Sequence, residues 1–145
     1  MPHFIQTINP NGAFITLFVG VSSARALALQ TASLPVPNAI SVLGLIDTGA
    51  SGVCIDPTIA QQLSLQPTGT GSMISPTTGA IPLMVPVYDI SIKVPHFPSS
   101  LDFNSIPAME SILLNQGFGV LIGRDILSKC LLIYDGVNNL FTMAF

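Results

Sequence analysis

Leu43-Gly44-Leu45-Ile46-Asp47-Thr48-Gly49-Ala50-Ser51-Gly52-Val53-Cys54-Ile55-Asp56 is the stretch that decides how the rest of this chain is read. An apolar run, Leu43 to Ile46, stops at one acidic residue and turns through small residues. A second apolar run, Val53 to Ile55, then leads away. A carboxylate placed where a buried strand ends is costly, because its charge loses water unless donors or a partner compensate. Thr48 to Ser51 supply such donors: a hydroxyl beside it, then amides in a loop that glycine lets approach closely. On its own, the same strand-turn-strand also fits an ordinary tight turn.

A second segment, far downstream, changes that reading: Gly119-Val120-Leu121-Ile122-Gly123-Arg124-Asp125-Ile126-Leu127. Asp47-Thr48-Gly49-Ala50 between apolar strands, followed by this apolar-apolar-Gly-Arg-Asp segment, resembles the retropepsin-like aspartic proteases. The two motifs stand in that family's order, about a flap's length apart. The resemblance implies a mainly β acid-protease fold, a closed β-barrel-like subunit with a flap hairpin and short helices. It further implies that the Gly119 strand threads beneath the active-site loop and that the following helix packs against it. Gly123 would permit the close approach, and Arg124 and Asp125 would brace the loop through hydrogen bonds. The matched segments cover the middle and C-terminal part of the chain; the first forty residues carry little of the resemblance.

Outward from these motifs the chain reads as strands and turns. Phe4 to Ile8, the turn Asn9-Pro10-Asn11-Gly12 and Ala13 to Val21 predict an N-terminal hairpin. Serines 22 and 23 begin a short helix that runs to Gln30. Asp56-Pro57 begins another, with a capping carboxylate and proline at the first helical position. Thr68 to Pro95 predicts a long hairpin: Ser72 to Ser75 runs up to Pro76-Thr77-Thr78-Gly79, and Ile81 to Val94 runs back. By resemblance this is the flap, with Thr78 and Gly79 at its tip. Pro82 and Pro86 predict an irregular strand suited to an edge or a mobile hairpin. Leu101 to Ile106 reads as a strand, and Pro107 to Asn115 as a short helix with proline at its start. Cys130 to Tyr134 and Leu140 to Phe145 form a last hairpin around Asp135-Gly136-Val137-Asn138-Asn139. That hairpin departs from minimal viral enzymes, whose C-terminal strand joins the dimer interface directly.

Composition sets the remaining bounds. A chain of 145 residues suits one domain spanning 1–145, long enough to bury a proper core. With 49% hydrophobic and only 8% charged residues, apolar surface is left over for a subunit interface or a substrate groove. The four basic residues, Arg25, Lys93, Arg124 and Lys129, are never adjacent, which argues against a nucleic-acid partner. Cys54 and Cys130 lie in apolar runs with no Cys-x-x-Cys spacing and read as buried, reduced thiols. His3 and His96 stand alone, so neither a metal site nor a cofactor is expected. Ala13 to Val21 could imitate the apolar core of a secretory signal, but Met1 to Gly12 holds no lysine or arginine. The run is also too short to span a bilayer, so a cytoplasmic chain with no membrane partner is expected.

Aspartic proteolysis needs two carboxylates that share a proton and hold one water between them. The chain offers a single Asp-Thr-Gly. Asp56 reads as a helix cap, Asp89 and Asp102 lie on strands, Asp135 sits in a turn, and Asp125 belongs to the bracing segment. Asp47 must then meet a second Asp47, which implies a symmetric homodimer acting on a peptide or protein substrate. The resemblance makes Asp47 the catalytic acid and base. Thr48 would lock the two loops across the dimer axis, Gly49 would set its amide near the carboxylate, and Ala50 follows the viral pattern. Ser51 stands where many viral enzymes carry an aspartate that grips the substrate backbone and pairs with the arginine of the Gly-Arg motif. With serine there, Arg124 lacks that partner. Ser51, Thr78 and Gly79 are the substrate-binding candidates. Two other readings fit the residues: a dimerising or peptide-binding module that does not cleave, and a structural β-domain of a virus or phage.

Overall fold

Paired strand register accounts for the architecture of the computed structural model, which describes residues 1–76 and 78–145. The strands are β1 (His3–Thr7), β2 (Phe14–Val21), β3 (Ile40–Ile46), β4 (Val53–Ile55), β5 (Gly69–Met73), β6 (Leu83–Val94), β7 (Leu101–Glu110), β8 (Val120–Ile122), β9 (Leu131–Asp135) and β10 (Leu140–Ala144). Three short helices join them: α1 (Ser23–Thr31), α2 (Pro57–Gln62) and α3 (Arg124–Leu127). The fold is mainly β. Six strands in the order β2-β3-β8-β4-β7-β6 close into a barrel through a β2–β6 pairing, and β5 extends from β6 beyond it. Two of the barrel's pairings, β3–β8 and β4–β7, are parallel.

Strand alternation fills the barrel. Ile15, Leu17 and Val19 of β2 point inward with Val53 and Ile55 of β4, Ile90 and Ile92 of β6, and Val120 and Ile122 of β8. Each such side chain contributes about 1.5–3 kcal/mol relative to exposure. Ile59, Ala60 and Leu63 seal the barrel from α2, and Ile126 does so from α3. Asp56 caps α2 through the Thr58 amide at 2.8 Å, and Ser22 caps α1 through the Arg25 amide at 3.2 Å. Among the described residues no helix is long and apolar enough to cross a membrane.

A second sheet, β1-β10-β9, packs Phe141 and Met143 onto the barrel. It corrects the expected N-terminal hairpin. The turn at Asn9–Gly12 forms, with amide-carbonyl bonds of 3.1 and 3.0 Å, but it separates two sheets instead of joining two paired strands. β1 pairs with β10, His3 opposite Ala144, and β2 pairs with β3 and β6. Phe4 explains the choice, since it meets Phe141 and Phe145 edge-on at 6.3 and 6.4 Å.

The expected helix from Pro107 to Asn115 is also corrected. β7 runs straight through Pro107 to Glu110, and a single 3-10 turn at Leu114–Gln116 follows. Pro107 pairs with Asp89 on one side, while pairing with β4 begins only at Ala108. The missing amide therefore costs little there. Pro86 is tolerated for the same reason. β6 is interior from Val87 onward, while at Pro86 it keeps one open side, as a proline there leads one to expect; β5 is the edge of the sheet. At Pro86 the strand pairs with Thr70 alone, because pairing with β7 begins at Val87. The predicted β5–β6 hairpin and the last hairpin, β9–β10, both form. Thr77, in the predicted hairpin tip, lies outside the described residues.

Candidate active site

The loop after β3 is built from both of the segments singled out in the sequence. The Ile46 amide donates to the Ala13 carbonyl at 2.9 Å, and the Asp47 amide to the Ile122 carbonyl at 3.0 Å. These bonds deliver the Asp47 side chain to the end of the barrel, half-buried. Its Oδ1 accepts the Gly49 amide at 2.8 Å. A Cβ at Gly49 would stand 3.0 Å from that oxygen, a tight contact that the carboxylate would have to shift to relieve. No bond to Asp47 Oδ2 or to the exposed Thr48 hydroxyl is made among the described residues.

Bracing comes from α3 and the residue before it. Arg124 donates through Nη1 to the Thr48 and Gly49 carbonyls at 2.9 and 3.1 Å, and its amide donates to the Ala50 carbonyl at 3.0 Å. Asp125 accepts the Val53 amide on Oδ2 at 3.0 Å and the Ile126 amide on Oδ1 at 2.8 Å. At Gly123 a Cβ would fall 2.5 to 2.7 Å from three backbone atoms of Gly52, so the two chain segments touch backbone to backbone. Ser51 is exposed and borders the same space as Arg124, but the guanidinium bonds to the loop carbonyls instead.

Between this loop, the β5–β6 hairpin and the segment after β7 lies a cleft with two adjoining lobes of about 680 and 650 Å³. Asp47, Met73, Ser75, Pro76, Ser111 and Leu121 border both. Register explains the floor. Leu45 pairs with Leu121, Leu121 with Cys54, and Cys54 with Met109, so these four side chains share the outer face of the barrel in one row. Phe118 and Leu113 complete an apolar wall beside them. Thr78 borders the cleft and closes the hairpin turn, accepting the Ser75 amide on Oγ1 at 2.8 Å. Gly79 lies in that turn with φ +63 and does not border the cleft.

The remaining acids near the site are engaged elsewhere. Glu110 takes the Tyr88 hydroxyl on Oε2 at 2.6 Å. Asp56 accepts the Leu113 and Leu114 amides on Oδ2, both at 2.8 Å, so it anchors the cleft wall as well as capping α2. Burial by itself would raise the Asp56 pKa, but the amides of Leu114, Leu113 and Thr58 more than offset it and hold the carboxyl below its ordinary range. Cys54 is buried and Cys130 half-buried, and both are free thiols. Burial, then the charges of Asp125 and Asp47, push the Cys54 thiol up to about 11. Among the described residues no three His, Cys, Asp or Glu side chains group as metal ligands. Asp47 and Thr48 also border a smaller hollow of about 290 Å³. Gly12, Ala13 and Ile46 line it together with Leu132 and Tyr134 of β9.

No protein-family profile matches the chain, and no curated protein matches it in sequence. Among solved structures it is similar to a retropepsin-like aspartic protease from Rickettsia conorii. The likeness covers 99% of this chain and 90% of that one, with a TM-score of 0.61 at 16% identity. At that identity the likeness speaks for architecture, and the barrel described above has the retropepsin-like fold.

Proposed function

We propose that the chain is an aspartic endopeptidase whose catalytic pair is Asp47 from each of two copies. The observation that carries this reading is the setting of Asp47. One oxygen is fixed by the Gly49 amide, and the residue opens onto a cleft floored by apolar side chains and roofed by a hairpin. Glu110, Asp56 and Asp125 are each engaged in bonds of their own, which supports taking the second carboxylate from another copy.

Two Asp47 side chains brought together cannot both ionise, so the pair holds one proton. The ionised member takes a proton from a water held between them, and that water attacks the peptide carbonyl. The protonated member donates to the carbonyl oxygen, and the proton is later passed to the leaving amine. The apolar row Leu45-Leu121-Cys54-Met109 suits apolar substrate side chains, with the β5–β6 hairpin serving as the flap. Ser51 and Thr78 would meet the substrate backbone, and the free Thr48 hydroxyl would meet its counterpart across the axis.

The test is cleavage of a mixed peptide library by the purified chain, alongside Asp47→Asn. The expected result is cleavage by the unmodified chain and none by a folded Asp47→Asn. Cleavage that survives in Asp47→Asn, or a wild-type chain that cuts nothing, would overturn the reading.

A further inference from the structure

The geometry points to Arg124 as a group that selects an acidic substrate side chain, so that preferred peptides carry Asp or Glu as well as apolar residues. This rests on the reading of the cleft as a peptide site, and it adds a charge to the side chains that site takes.

Among the described residues, Arg124 is the one basic side chain bordering either lobe of the cleft, and it is exposed. Its Nη1 donates to the Thr48 and Gly49 carbonyls, which are neutral, and no bond of Nη2 or Nε is made among the described residues. The nearby acids are turned to other donors. Asp125 gives its oxygens to the Val53 and Ile126 amides, and Asp47 Oδ1 takes the Gly49 amide. Position 51 borders the same lobe and holds a serine, which brings no charge. Gly49, Ala50 and Gly52 complete that side of the lobe, and none has a side chain long enough to cover the guanidinium. A permanent positive charge with unused donors is thus left beside the space a substrate would fill.

The matching group is a carboxylate, which takes a guanidinium edge through paired N–H···O bonds. Within a peptide chain, carboxylates come from Asp and Glu side chains. A substrate Lys or Arg at the same place would set like charges together. The shared Asp47 pair implies a two-fold axis, so each copy would present one Arg124, one on either side of the scissile bond. The row Leu45-Leu121-Cys54-Met109 would take apolar side chains, and Arg124 an acidic one at a separate position.

The experiment compares two libraries of short random peptides, one containing Asp and Glu, the other with Asn and Gln in their place. Both are amidated at the C-terminus, so side chains carry the only carboxylates. Cleavage is read with the unmodified chain. Capture is read with immobilised Asp47→Asn, which reports binding without chemistry. Acidic peptides are expected to be enriched roughly fivefold over their amide counterparts in both readouts, the size of an exposed ion pair. The enrichment should shrink as salt rises from about 0.05 to about 0.5 M. Ser51→Asp sets a carboxylate beside the guanidinium and should abolish the enrichment. Ser51→Asn, similar in size and neutral, should retain it. Position 51 is exposed, so neither change should alter thermal unfolding. No enrichment with the Ser51 chain, enrichment that Ser51→Asp or salt leaves intact, or enrichment that Ser51→Asn abolishes as fully as Ser51→Asp would overturn the assignment. Capture of acidic peptides by a chain that cleaves nothing keeps the role of Arg124 and removes the protease, whereas cleavage blind to acidic residues does the reverse.

Discussion

Arg124 holds the Thr48 carbonyl at 2.9 Å with the same nitrogen that reaches Gly49, while its backbone amide takes Ala50. One residue thus fixes three consecutive carbonyls of the Asp47 loop. The sequence had left this arginine without a partner, because Ser51 replaces the expected aspartate. The structure gives its guanidinium the loop backbone itself. Arg124→Ala should therefore lower kcat/KM by about 100-fold through misplacement of Asp47. Its cost in stability should be at most about 1 kcal/mol, since the side chain is exposed. Cleavage rates set beside thermal unfolding check this, and an unchanged rate would mean the loop holds its shape unaided.

Gly123→Ala should behave in the opposite way, as a fold variant. Its methyl would meet the Gly52 backbone, which has no flexible end to swing aside. The loss should be about 1–3 kcal/mol or more, typical of forced overpacking. Urea unfolding measures it, and a variant as stable as wild type would show that the two segments can part without cost.

Asp56→Ala removes an acceptor from three amides, those of Thr58, Leu113 and Leu114. The loss of the cap and of two further bonds should cost about 3 kcal/mol. The sign with pH follows from a folded pKa below the ordinary 3.8. The ionised form stabilises the fold, so the contribution is whole above 3.8 and is lost as pH falls through the lower folded value. Stability of Asp56→Ala should consequently vary less with pH on the acid side than that of wild type. Parallel curves for the two proteins would remove Asp56 from the acid response.

On the alkaline side three groups act together, the Cys130 thiol being raised above its ordinary 9.0 by burial. Burial, with Asp125 and Asp47 nearby, raises Cys54 from 9.0 to about 11. Burial, with the Glu110 bond and charge, raises Tyr88 from 10.0 to about 12. All three hold their protons more tightly folded than unfolded, so their contribution is whole below 9.0 and is lost as pH climbs from there toward 12. Cys54→Ala should flatten the lower part of that fall, between 9.0 and 11. The readout is unfolding free energy against pH, and an unchanged slope would show that the thiol is not ionising there.

What could be read in advance divides along contact range. The Gly-Arg-Asp segment, whose bonds to the loop span 72 to 76 residues, was singled out by its resemblance to the retropepsin-like motif, whereas the Asp47 loop was legible locally, as a carboxylate at a strand end needing amides. The caps at Ser22 and Asp56 were legible for the same reason. β1 was misread because its partner, β10, lies at the other end of the chain, and the nearby turn gave the stronger local signal. Pro107 was misread because proline followed by Ala108-Met109-Glu110 is a fair helix start. Pairing with β6 and then β4 overrides that propensity. The cleft floor was invisible for a different reason. Leu45, Leu121, Cys54 and Met109 come from four strands and meet only through register.

Subunit mixing offers the sharpest test of the shared pair. If each site needs Asp47 from both copies, a dimer of one wild-type and one Asp47→Asn chain holds a single usable carboxylate and should not cleave. The variant side chain is nearly the same size, and the Gly49 amide can still bond to the amide oxygen at that position. Asp47→Asn chains should therefore fold and exchange with wild type. At about a ninefold excess of variant, random pairing leaves roughly one wild-type chain in ten with a wild-type partner, so activity per wild-type chain should fall about tenfold. Diluting the unmodified protein below its dimer dissociation constant should lower specific activity as well, because monomers carry half a site. The measurement is initial cleavage rate after equilibration, across mixing ratios and total concentrations. Activity per wild-type chain that ignores both variables would mean that each chain carries a whole site, and the second carboxylate would then have to be sought within the chain itself.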